Sequence, residues 1–146
     1  MINREQIRIF RLGSVLFIFT LFSALQAQAH HSTAQFDFDA LGVIKGNVKV
    51  AEFRNPHSLI ILEVTDENGK VEERVIAGHS LSHIRRSGLK HGMVQPGDKV
   101  TVLFAPHREG SDGYMRALIL PDGSVLNPAA TGVSDADIEA ARSDHE

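Results

Sequence analysis

The 146-residue sequence predicts a small all-β domain, a five-stranded OB-like barrel with one short helix between strands three and four, behind a cleavable leader. Three observations predict it. Five segments alternate apolar and polar residues or form short apolar runs, each bounded by Gly, Pro, Asn or Asp. A single stretch between the third and fourth switches to a helical period. Closing such a sheet gives a chain of this size one core without long open edges, a reason to prefer it over an open meander; a small sandwich is the second choice.

The leader is residues 1–29. Arg4, Arg8 and Arg11 precede the apolar run Ser14 to Leu25, which is followed by the small-residue site Ala27-Gln28-Ala29, the pattern of a secretory signal peptide. That run is shorter than the roughly 20 residues needed to span ~30 Å of hydrocarbon, so no stable membrane insertion is expected after cleavage. The expected location is the periplasm or the exterior. Cleavage after Ala29 starts the chain at His30-His31-Ser32, and cleavage after Ala27 starts it at Gln28-Ala29-His30. Residues 30–42 then form an N-terminal arm, 43–126 the barrel domain, and 127–146 a polar tail expected to fray.

Within the barrel, Ile44 to Phe53 alternates Ile44, Val48 and Val50 against Lys45, Asn47 and Lys49, with Gly46 as a bend. Arg54-Asn55-Pro56-His57 ends that strand, because Pro56 cannot donate to a ladder. Ser58 to Asp66 is the second strand, its Leu59-Ile60-Ile61-Leu62 centre apolar on both sides. Glu67-Asn68-Gly69-Lys70 is a hairpin turn, since Asn-Gly readily takes positive φ, and Val71 to Ile76 returns. His79 to Gly88 carries the helical pattern and stops at glycine. Pro96-Gly97-Asp98 turns into Lys99 to Ala105, with Val100, Val102 and Phe104 on one side. Gly110 to Gly113 breaks the chain before the final strand, Tyr114 to Leu120, and Ser124 to Leu126 pairs back across Pro121-Asp122-Gly123. In the tail, Ser134 and Asp137 have the spacing to cap a short helix over Ala136 to Arg142.

Composition removes several chemistries. With no cysteine there is no disulfide, thiolate site, cysteine nucleophile or lipidated cysteine. Of 15 Lys+Arg and 18 Asp+Glu, the leader takes Arg4, Arg8, Arg11 and Glu5, so the remainder has a formal charge of −5. That balance argues against a nucleic-acid partner, which requires a basic face. Ser32, Ser58 and Ser80 lack a nucleophile elbow, and no paired carboxylates stand out.

All eight histidines lie beyond residue 29. An amino-terminal His30 offers its α-amine and an imidazole to one ion, and a further imidazole would complete a three-nitrogen site suited to copper, with zinc as the alternative. The other metal candidates are His31, His57, His79 and His83. His79 and His83 are four apart, the spacing that puts two imidazoles on one helix face; Ser80 stands where a zinc protease would need glutamate. Arg85-Arg86 beside Lys90-His91 is the compact basic patch, suited to an anionic partner or to salt bridges with nearby acids.

The segment from Ala29 to Leu126 resembles a family of small exported bacterial proteins of uncharacterized function. The residues that carry the likeness are His30-His31-Ser32, Phe36-Asp37, Gly46-Asn47-Val48 leading to Phe53, and Asn55-Pro56-His57. Downstream, Arg85-Arg86-Ser87-Gly88, Pro96-Gly97-Asp98 and Leu120-Pro121-Asp122-Gly123 continue it. Ser58 and Gly78-His79 depart from the pattern. The resemblance implies a compact exported domain and transfers no reaction.

Three functions fit these residues. The leading expectation is a non-catalytic periplasmic metal-binding accessory protein, for copper. The alternatives are a metal-independent module for a periplasmic protein or small ligand, and a copper-dependent redox enzyme.

Overall fold

The computed structural model describes residues 31–128 and 132–143. The chain divides into two units, Met1–Gln35 and Phe36–Glu146. In the first, the described element is a single helical turn, α1 (His31–Ala34).

The second unit is a closed barrel. Its elements are β1 (Gly42–Glu52), β2 (Ser58–Thr65), β3 (Val71–Gly78), α2 (Leu81–Arg86), β4 (Lys99–Pro106), β5 (Gly113–Ile119), the two-residue β6 (Val125–Leu126) and α3 (Asp135–Ser143). The strand order is β3-β2-β1-β4-β5-β6, all antiparallel, and a parallel pairing of β3 with β5 closes the ring. The seam is short: Ile76 opposite Gly113 and Ala77 opposite Tyr114. Further along the same edge of β5, β6 takes over, with Leu118 opposite Leu126. This is the OB-like barrel with its helix between strands three and four.

Period-two alternation fills the interior. Val100, Val102 and Phe104 of β4 meet Ile44 and Val48 of β1, Ile60 and Leu62 of β2, Ile76 of β3 and Met115 and Leu118 of β5 in one core. Ile84 of α2 is fully buried in the same core, so the helix lids one end of the barrel. Gly46 is a point of close approach rather than a bend: a Cβ there would lie 2.8 Å from the Glu63 carbonyl oxygen. At the β2–β3 hairpin, the Asp66 carboxylate accepts from the Asn68 and Lys70 amides, both at 2.8 Å, and Gly69 takes the positive φ of 80°.

β4 and β5 are buried on their outer faces as well. Leu103, Ala117 and Ile119 point outward against Ile138 and Ala141 of α3. The start of α3 carries a reciprocal cap: the Asp137 carboxylate accepts from the Ser134 amide at 2.8 Å and the Asp137 amide donates to Ser134 Oγ at 3.2 Å. Nearby, Phe36 packs on Ala105 and Tyr114, and the buried Arg116 donates to the carbonyls of Phe38 and Ala40, both at 3.2 Å. That guanidinium holds the segment before β1 on the barrel wall.

Candidate functional site

Two features meet at the end of the barrel that α2 covers. The first is a set of imidazoles. His57 lies in the exposed β1–β2 turn, where the Asn55–Pro56 peptide bond is cis; His79 follows β3 directly, and His83 sits in α2. Two backbone bonds stitch the turn to the helix start: the Ser58 amide donates to the His79 carbonyl and the Leu81 amide to the Arg54 carbonyl, each at 3.1 Å. Because the helix begins at Leu81, His79 is not on its face as the four-residue spacing predicted. The two rings nevertheless meet, stacked at 4.6 Å between centroids and 17° between planes.

Tyr114, at the start of β5, sets its ring edge-on to His79 at 5.1 Å and its hydroxyl 3.3 Å from His79 Nδ1. Partial burial pushes the Tyr114 phenol up, so its proton is held. Burial first, then the charges of His83 and His57, pulls the His79 imidazole below its usual range, which favours the neutral ring. Phe36 and Phe38 continue the aromatic contacts outward from Tyr114, at 5.5 and 5.6 Å, and His107 meets Phe36 at 5.5 Å. Tyr114, Phe36 and Phe38 were not site candidates from sequence, because nothing local shows that the arm and β5 would meet beside His79.

This geometry corrects the metal expectation. Imidazole lone pairs lie in the ring plane, so two rings stacked face to face aim their nitrogens side by side; a zinc ion would need them to converge at ~2.0–2.1 Å. Among the described residues no group of three or more His, Cys, Asp or Glu is placed to hold an ion, and the chain has no cysteine. The copper expectation, and zinc as its alternative, is overturned on that finding, and the copper-dependent redox reading loses its cofactor with it. Of the five metal candidates, His57, His79 and His83 cluster without forming a metal site, while His30 and the ring of His31 lie outside the described part of the structure.

The second feature is a cavity of about 300 Å³ on the other side of α2. Ala51, Phe53, Leu81, Leu89 and Val94 line it with apolar surface, and Arg85, Lys90 and His91 line it with cationic or titratable groups. The apolar residues are either part of the barrel core or packed against it. The wall formed by 90–95 is tied to itself: Gln95 Nε2 donates to the Gly92 carbonyl at 2.9 Å, and the Met93 amide to the Lys90 carbonyl at 3.3 Å. No carboxylate lines the cavity among the described residues. The basic patch legible in the sequence therefore borders an apolar hollow, which linear spacing did not show.

A family comparison matches residues 19–116, ending within β5. The chain belongs to DUF6152. That is a family of unknown function, so membership brings no reaction with it. No match was found among the curated proteins.

Proposed function

We propose that this chain is an exported, metal-independent binding module of the periplasm or cell exterior that holds a small ligand in the cavity between β1, α2 and residues 89–94. The observation that carries the reading is the cavity itself, an apolar floor continuous with the core and a cationic rim with no acid among the described residues that line it. Export is supported by the three arginines, the apolar run and the Ala27-Gln28-Ala29 small-residue site. Among the described residues no helix is long and apolar enough to cross a membrane. Catalysis has no comparable support. Among the described residues Tyr114 is the hydrogen-bond partner of the His79 ring, and no serine or carboxylate joins that pair as a triad would require.

One observation favours a protein partner as the second reading. Phe38, 42% exposed, abuts Tyr114 and thereby extends the His79–His83 stack toward the surface. The two readings are separated by nuclear magnetic resonance on ¹⁵N-labelled, leader-free chain kept in chelator. Adding the small-molecule fraction of a periplasmic extract should give saturable shifts at Ala51 to Phe53, Leu81 to Arg85 and Leu89 to Val94. Shifts confined to Phe38, His79, His83 and Tyr114, produced by the protein fraction, would replace the first reading with the second. Shifts that arise only once metal is restored would overturn both.

A further inference from the structure

We infer that the ligand class of the cavity is a small amphiphile bearing a single anionic head on an apolar body; this rests on the reading of the cavity as a ligand site. Charge is the first argument. The five ion pairs among the described residues are Lys49–Glu73, Arg54–Glu52, Lys70–Glu72, Arg108–Asp37 and Arg142–Glu139. Arg85, Arg86 and Lys90 form none, although the chain as a whole is acidic. Basic residues in the last turn of a helix answer its carbonyl end, which accounts for Arg85 and Arg86. It does not account for Lys90 and His91, which lie past Gly88 and line the same hollow as Arg85. Two cations and an imidazole around one opening, with no acid among them, suit a carboxylate or phosphate monoester.

The second argument is the floor. Phosphate or another bare anion would be held by the rim alone and would leave the partly buried Phe53, Leu81 and Val94 in contact with water. An attached chain or ring covers them, and each methylene it buries adds to affinity in proportion to the area removed from water. The volume of about 300 Å³ is at the lower end of the range of small-molecule sites, roughly 300–1,000 Å³, which limits the body to a short chain or a single ring. A charged head at the mouth and an apolar body inside is therefore the arrangement that leaves neither surface unmatched.

The test is isothermal titration of the leader-free chain, in chelator, with octanoate, octyltrimethylammonium, 1-octanol and inorganic phosphate. Octanoate should bind at one equivalent and at least tenfold more tightly than the other three. The double variant Arg85→Glu/Lys90→Glu changes two exposed side chains, so apart from a small drop in thermal midpoint from reversing a charge at the carbonyl end of α2 it should stay folded, lose at least tenfold in octanoate affinity and gain affinity for octyltrimethylammonium. Arg85→Gln/Lys90→Gln serves as the neutral counterpart and should lose octanoate affinity without gaining the cation. Equal affinity for the cationic or neutral chain overturns the anionic head but leaves the ligand-site reading standing. Phosphate bound as tightly as octanoate overturns the apolar body, and octanoate binding indifferent to both double variants overturns the placement. Uptake of none of the four, with no shift at Leu89 to Val94 from periplasmic extract, overturns the ligand site as well.

Discussion

Replacing Gly113 with alanine puts a methyl group where the Phe104 ring already lies. An ideal Cβ at Gly113 would be 2.2 Å from Phe104 Cδ2 and 2.9 Å from Cγ, far inside van der Waals contact. The ring has little freedom to retreat, because a Cβ on Gly42, in the facing strand, would stand 2.6 Å from its Cζ; the aromatic occupies the space left by both glycines. Overpacking of this kind costs about 1–3 kcal/mol, and overlap this deep belongs at the upper end. Gly113 lies outside the left-handed region, so alanine also restricts the unfolded chain, which offsets roughly 0.4–1 kcal/mol. The net expectation is a loss of ~2 kcal/mol, read from the urea midpoint at constant slope. Phe104→Leu in the same background should return part of that loss, because a smaller side chain vacates the clash, giving a favourable coupling in a double-mutant cycle. A Gly113→Ala protein as stable as wild type, or one whose defect is simply added to that of Phe104→Leu, would refute the packing argument.

Two further outcomes follow from the site and from α3. His79 is held below the ordinary imidazole value of 6.5 in the fold, so the unfolded chain takes up its proton first as pH falls; stability is full above 6.5 and declines below it, down to the depressed value. Thermal midpoints measured from pH 7.5 to 5 should show that decline, and His79→Gln should flatten it; a level wild-type curve would contradict the buried, neutral ring. Ser134→Ala removes the hydroxyl that accepts from the Asp137 amide and should cost ~1 kcal/mol in denaturant unfolding, together with faster amide exchange at Ile138. No change in either would mean that α3 is not capped as described.

Much of the barrel is legible in the residues because its inner face is governed by local alternation. Val100, Val102 and Phe104 read as one side of a strand and prove to be the interior of β4, and Asn68-Gly69 and Gly88 stop their elements where the chain turns. What escapes a linear reading is burial created by distant segments. Leu103, Ala117 and Ile119 point away from the core, and only the docking of Ile138 and Ala141 makes that outer face dry. The low apolar content of 127–146 pointed to fraying, yet two apolar residues three apart suffice when a matching strip awaits them. The imidazole cluster shows the same limit: spacing placed His79 and His83 together, but on a helix face that begins two residues too late, and Tyr114 entered only through the parallel strand pairing. The apolar hollow beside Arg85 and Lys90 depends on the end of β1 and on the loop after Gly88, which are more than thirty residues apart.

The seam between β3 and β5 has a kinetic consequence. Each antiparallel rung can zip outward from a turn, but the pairing of Ile76 with Gly113 must bring together positions 37 residues apart and yields only two rungs for that closure. The ladder from β3 through β5 is thus expected to assemble as an open, curled ribbon, with circularisation as its slowest event. Since Tyr114 reaches His79 only across this join, the ring contacts beside the helix would mature in the same late step.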